Sequence, residues 1–136
     1  MQTLQQQVTP VTTSPKRISS TPGGKTSFLV FNHNKYFIVP TENIAFFYVR
    51  HETSIIVCFD RQEYFVNHSL ENIQNMLSDK LFYRLNRQYL INFNAVKEVE
   101  HYFARKLLVN LVIPSTDKLL VSKEKVSSFL EWLDNR

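Results

Sequence analysis

From Phe28 to Val121 the chain is a succession of short apolar runs broken by polar punctuation. Phe28–Phe31 and Tyr36–Val39 flank Asn32-His33-Asn34-Lys35, where asparagine tolerates positive φ and a hairpin turn is expected. Ile44–Arg50 and Ser54–Phe59 flank His51-Glu52-Thr53, and Asp60-Arg61-Gln62 leads into Glu63–Val66. These runs are rich in Val, Ile, Phe and Tyr, side chains that fit a pleated surface, and they are short for helices; they predict strands. Their recurrence at roughly ten residues predicts an antiparallel meander in a sandwich or barrel. Phe82–Arg84 and Tyr89–Ile91 continue the pattern around Asn86-Arg87-Gln88, with Asn92 as a turn-closing residue. Val96–Phe103 and Lys106–Ile113 read as a hairpin with Ala104 and Arg105 at its tip, and Leu119–Val121 as a last strand.

Two segments change period. Leu70, Ile73 and Leu77 recur at helical spacing behind Ser69, a good N-cap, and predict one short helix. Ser122 is expected to cap a second, in which Val126, Phe129, Leu130 and Leu133 form one apolar face. The fold class is therefore mostly β: a sandwich-like domain of about ten short, largely antiparallel strands with two short helices, spanning residues 27–136. Residues 1–26, rich in Gln, Thr, Ser and Pro and poor in large apolar groups, read as a flexible linker or N-terminal arm.

Composition narrows the chemistry. The 136 residues suffice for one domain. Both glycines, Gly23 and Gly24, precede the strands, which excludes the glycine-rich phosphate loops of nucleotide enzymes. It also leaves the tight turns to Asn, Asp, Ser or Pro. Cys58 is the only cysteine, so no internal disulfide or cysteine zinc cage can form. His33, His68 and His101 show no ligand spacing, and Asp60 and Glu63 lack a nucleophile elbow or metal motif beside them. No enzyme activity, cofactor, metal or small-molecule substrate is expected. No apolar run reaches membrane-span length and the start is polar, so a cytoplasmic protein is expected, with no membrane partner.

The net charge of +4 says little until it is mapped. Residues 1–26 carry three of those charges, and residues 27–79 hold three basic and six acidic residues. Residues 80–125 hold nine basic and four acidic ones. Within that block Arg84, Arg87, Arg105, Lys106, Lys123 and Lys125 fall at loops or element ends. If those loops converge they make a phosphate-binding edge. The alternative is a β-sandwich module that binds a protein or peptide through a sheet edge.

The stretch Phe82-Tyr83-Arg84-Leu85-Asn86-Arg87-Gln88-Tyr89-Leu90-Ile91-Asn92, followed by Ala95-Val96-Lys97-Glu98-Val99, resembles the central signature of the LytTR family of bacterial DNA-binding domains. The likeness continues through Leu119-Leu120-Val121-Ser122-Lys123-Glu124-Lys125-Val126, and upstream through Ile44-Ala45-Phe46-Phe47-Tyr48 and the Ser69-Leu70-Glu71 helix start. It implies the output domain of a two-component response regulator, which normally follows a receiver domain. Such a domain docks loops, rather than a recognition helix, into successive major grooves of double-stranded DNA. Paired half-sites and a dimer on DNA are implied as well. By position, the resemblance makes Arg87 the basic residue of the central motif, flanked by Asn86 and Gln88, and Lys106 the basic residue opening the strand after the long hairpin. Ser122 and Lys123 match the closing motif, and His51 falls in an early loop that approaches DNA. Three departures stand out: Asn86-Arg87-Gln88 replaces the commoner His-Arg-Ser, Lys123 a more usual Arg, and Arg105 a frequent Gly. An ammonium at 123 is a point charge rather than a bidentate fork, which favours a phosphate contact there.

Overall fold

A computed structural model describes residues 24–136. Ten strands form three antiparallel sheets. β1 (Ser27–Asn32) and β2 (Lys35–Pro40) make a hairpin. β3 (Ile44–Arg50), β4 (Thr53–Cys58), β5 (Glu63–Val66), β6 (Phe82–Arg84) and β7 (Tyr89–Asn92) form a central sheet in the order β5-β4-β3-β7-β6. β8 (Val96–Tyr102), β9 (Lys106–Leu111) and β10 (Leu119–Val121) form the third sheet, with β9 in the middle. The two helices are α1 (Leu70–Met76) and α2 (Val126–Asp134). The mostly-β class expected from the run lengths is the one observed.

The central sheet is covered on both faces. On one, Phe47, Ile56 and Leu90 pack with Phe28, Val30 and Val39 of the hairpin and with Leu70 and Ile73 of α1. On the other, Phe46, Tyr48, Val57 and Ile91 pack with Leu107, Val109 and Val121 of the third sheet and with Phe129 of α2. Two-sided burial explains why Ile44–Tyr48 and Ile55–Cys58 read as unbroken apolar runs rather than alternating ones. A register shift between Ile44 and Phe46 turns Ala45 and Phe46 together toward the second core. Asn92, fully buried, closes β7 as expected: its Nδ2 donates to Ile44 O at 2.8 Å and its Oδ1 accepts from Asn94 N at 2.8 Å. Cys58 is buried in the first core, and burial, with Asp60 adding, pushes its thiol up to about 11.

Four details differ from the sequence expectation. The turns are not confined to Asn, Asp, Ser and Pro: positive φ is taken by His33, Asn34, His51, Glu52, Arg61, Ala104 and Arg105. The right-handed strand twist demands left-handed residues in two-residue hairpins, and the chain supplies them without glycine. Ser69 caps α1 as predicted, accepting from Asn72 N at 3.1 Å. Ser122, however, makes no side-chain cap. It precedes a separate 3-10 turn, Lys123–Lys125, and α2 starts only at Val126. Leu130 is exposed, and Trp132 joins Val126, Phe129 and Leu133 on the packed face, its Nε1 donating to Asp79 O at 2.7 Å.

The last difference is the edge of the ordered region. The expected arm reaches residue 26, yet residues 24–26 are paired with the domain; residues 1–23 lie outside the described residues. Gly24 bridges Leu77, Lys25 N donates to Met76 O at 2.8 Å, and Thr41 donates to Thr26 O and Lys25 O at 2.9 and 2.8 Å. Among the described residues no helix is long and apolar enough to cross a membrane, and no group of His, Cys, Asp and Glu could hold a metal ion.

Gly24 has a φ of +69°, and a Cβ there would lie 2.5 Å from Ser78 N. Gly24→Ala combines left-handed strain with a backbone clash and is expected to destabilise the domain by about 2 kcal/mol. A urea midpoint equal to that of the parent protein would show that this segment does not hold the domain.

Candidate nucleic-acid interface

The loop between β6 and β7 is held by two side chains that face inward. Asn86 Oδ1 accepts from Gln88 N at 2.8 Å and from Tyr89 N at 2.9 Å, a local turn that asparagine makes readily. Arg84 encircles the same loop: Nε donates to Asn86 O at 2.7 Å, Nη2 to Arg87 O at 2.9 Å and Nη1 to Gln74 Oε1 at 3.2 Å. Burial lowers the Arg84 pKa from its usual value and Glu71 opposes the shift. Asn86 and Arg84 are therefore committed to the loop's shape. Arg87 and Gln88, both exposed, are what the loop presents outward.

Main-chain pairing sets the neighbours. Val49 N donates to Gln88 O at 3.0 Å, so the β3–β4 turn lies beside this loop. His51 stands in that turn, exposed, at a φ of 51°. Before it, Arg50 lies 5.1 Å over the Tyr48 ring and donates to the Tyr48 hydroxyl.

A second group of cations gathers at one end of the third sheet. The register pairs Leu107 with Val121 and Tyr102 with Lys106, so Ser122 leaves β10 beside Lys106 at the base of the β8–β9 tip. That tip is Phe103-Ala104-Arg105, and Lys106 Nζ lies 5.5 Å over the Phe103 ring. Lys123 and Lys125, both exposed, follow Ser122 at the start of α2.

Contacts along α2 relate the two groups. Tyr83 OH lies 3.2 Å from Ser128 Oγ near the helix start, while Trp132 and Arg136 near its end bond to Asp79 and Lys80 just before β6. α2 thus runs antiparallel to β6. Its first turn lies on the side where β6 enters the Asn86–Gln88 loop. Leu85, which opens that loop, shares the second core with Leu107 and Val121. His51, Arg87, Gln88, Ser122, Lys123, Lys125 and the Arg105–Lys106 tip are brought to one rim of the domain, with Glu52 and Glu124 the acids among them. Arg84 belongs beneath that rim. Sequence reasoning missed Phe103, which is 71% exposed at the tip. Its signal was available: a large apolar residue at a hairpin tip flanked by cations.

Behind the rim, Tyr89 stacks on Tyr48 with ring centres 5.7 Å apart, and its hydroxyl donates to Asp117 Oδ2 at 2.8 Å. Burial first, then the bond to Asp117, pushes the Tyr89 phenol up to about 12.

In this strand-built domain Arg87, Arg105, Lys106, Lys123 and Lys125 stand at turns or element ends rather than along a helix face. The family model described as the LytTr DNA-binding domain matches residues 34–134, and the chain belongs to that family. A solved structure described as the LytTr DNA-binding domain of a provisionally assigned methyl-accepting/DNA response regulator from Bacillus cereus has the same fold. It superposes with a TM-score of 0.69 at 17% identity, covering 81% of this chain and 98% of that one. No curated protein sequence matches the chain.

Two expectations follow from this geometry. Asn86→Asp retains an acceptor oxygen for Gln88 N and Tyr89 N and is expected to keep the domain's stability while weakening DNA binding through its added negative charge. Asn86→Ala loses both bonds and is expected to cost about 1–2 kcal/mol. Equal loss of stability in both, measured by thermal melting and urea titration, would rule out the acceptor role. The Tyr89 contribution is complete below pH 10, the ordinary phenol value, and is lost as pH rises toward about 12. Tyr89→Phe should show a shallower decline of stability with pH across that window; an unchanged slope would refute the assignment.

Proposed function

We propose that this domain binds specific sequences of double-stranded DNA by setting its rim loops into successive major grooves. In this reading it is the output domain of a bacterial two-component transcriptional regulator, with one copy on each half-site of a paired site. What supports it is that Arg87 stands exposed on a loop whose shape is held by Arg84 and Asn86, in a chain of a DNA-binding family. A guanidinium presented rigidly is suited to the O6 and N7 acceptors of guanine, and the Gln88 amide to the donor–acceptor edge of adenine. Arg105, Lys106, Lys123 and Lys125 take phosphates, with the Ser122 hydroxyl and the His51 ring as shorter contacts. Phe103 meets sugar or a thymine methyl beside the Arg105 phosphate contact. Arg84 and Asn86 act through the loop rather than on DNA. The Bacillus cereus neighbour's description as part of a DNA response regulator supports the regulatory setting.

Selection of bound sequences from a random duplex pool supplies the specific site. With four cations on phosphates, affinity should fall with salt at a log–log slope near −3.6, about −0.9 per phosphate. Arg87→Ala is expected to cost about 1–3 kcal/mol on the selected site and much less on random DNA, whereas Lys123→Ala should weaken both alike. Binding that ignores salt would overturn the reading. Equal losses on both DNAs for Arg87→Ala would reduce it to a backbone contact.

A further inference from the structure

The largest feature the rim leaves unexplained is apolar. β1 and β2 pair Leu29 with Ile38 and Phe31 with Tyr36, and all four side chains point away from the core that Phe28, Val30 and Val39 enter. Phe65 of β5 lines the shallow groove beside them, together with Leu29, Phe31 and Tyr36. Each of the five is 55–71% exposed. A two-stranded ribbon gains nothing by leaving its outer face apolar. A solvated outer face would carry Lys, Glu or Thr, which keep an exposed strand pair from sticking to other chains.

We infer that this face, Leu29, Phe31, Tyr36 and Ile38 with Phe65 beside it, docks a second copy of this chain. Area and position select that occupant. Five such side chains present on the order of 600 Å2, the upper end for the largest apolar patch of a monomer and about what one partner contributes at the lower limit of a specific interface. A pair of copies would bury on the order of 1,200 Å2, enough for a weak, reversible dimer and too little for an obligate one. The patch itself carries no charge, which suits neither DNA nor a charged peptide. A two-fold contact needs only that the same surface meet itself.

The groove is also lined by Thr53 and Asn67. Thr53 opens β4 directly after the rim turn that carries His51 and Glu52. A copy packed face to face on this patch therefore borders the rim turn. For its place on DNA the inference rests on the paired-site reading above; for the contact itself it does not. Because the contact is weak, its effect appears as cooperativity on DNA, where the two copies are held close.

The test uses the full chain, Ile38→Asp on the patch, and Leu130→Asp as a control at an exposed apolar position on α2, with thermal melts to establish that both fold. Sedimentation at rising protein concentration should show association of the parent and control proteins and none of Ile38→Asp. On a duplex with two selected half-sites, parent and control should bind cooperatively, by roughly 5–150-fold as coupled sites generally do, and Ile38→Asp without cooperativity. On a single half-site all three should bind alike. A separate variant, Ile38→Cys, should be joined into dimers by a short bismaleimide where Leu130→Cys is not, Cys58 being buried in each. Unchanged cooperativity in Ile38→Asp, together with no cross-linking of Ile38→Cys above the Leu130→Cys control, would overturn the proposal and leave the face to a different partner or to residues 1–23. Failure of the parent protein to bind a single half-site would instead remove the DNA reading, and sedimentation and cross-linking would then decide this one alone.

Discussion

The constraint on which the rest depends is that the central sheet is buried on both faces. Hairpin and α1 close one side, and the third sheet and α2 close the other. A sheet so enclosed offers a ligand neither face, and the ends of its strands are what remain. The same hydrophobic burial that stabilises the domain therefore leaves the turns, with the β5 edge, as the exposed parts of this sheet. This is why a domain of roughly neutral charge, once residues 1–26 are set aside, can still bind a polyanion: the cations need only be gathered at one rim, and the strand register gathers them.

Turns are poor places for recognition unless they are rigid, because ordering a loop on binding costs about 1–2 kcal/mol per residue of backbone entropy. The Arg84 and Asn86 network removes that cost in advance. Four hydrogen bonds converge on the four residues that end at Tyr89, and a fifth ties Arg84 to Gln74, so the main chain that carries Arg87 is held by the fold. Arg84 is the instructive case. From its charge and its place at a strand end it resembles the other cations, yet a guanidinium with five donors in a plane is also the side chain best able to bind several carbonyls at once. Its bonds to Asn86 O, Arg87 O and Gln74 Oε1 decide between the two uses.

Much of this was legible from residue order. The strands followed from run length and β-branched content, α1 from Ser69 and the spacing of Leu70, Ile73 and Leu77, and the basic turns from the charge map. What was not legible depended on tertiary contacts. Leu130 and Trp132 both fit a helical stripe, and only the position of Tyr83 and Phe93 beneath α2 selects Trp132. Ser122 carries the chemistry of a cap, but the chain spends one more turn before α2 begins. Residues 24–26 look like linker because their attachment is through main-chain bonds and a missing Cβ rather than apolar side chains. The outer face of β1 and β2 was hidden for a related reason: an apolar residue in a strand reads as core whichever way it points. The alternation places Leu29 and Phe31 on one face, but it cannot say which face is covered.

The hairpin tips join these themes. A left-handed residue other than glycine costs about 1–2 kcal/mol, less for Asn and His, whose short polar side chains tolerate it. His33, Asn34 and His51 fit that allowance; Ala104 and Arg105, at φ 59° and 61°, do not. A glycine at position 105 would relieve the strain and remove a cation. Arginine there sacrifices backbone comfort for charge at the β8–β9 tip. Strain of this kind persists where the surrounding structure over-determines it, and here the β8–β9 ladder does so: Tyr102 pairs with Lys106 immediately across the tip, so the chain must reverse within three residues whatever their identity. The register of two strands thus sets where the charge is carried, and the absence of glycine makes the cost visible.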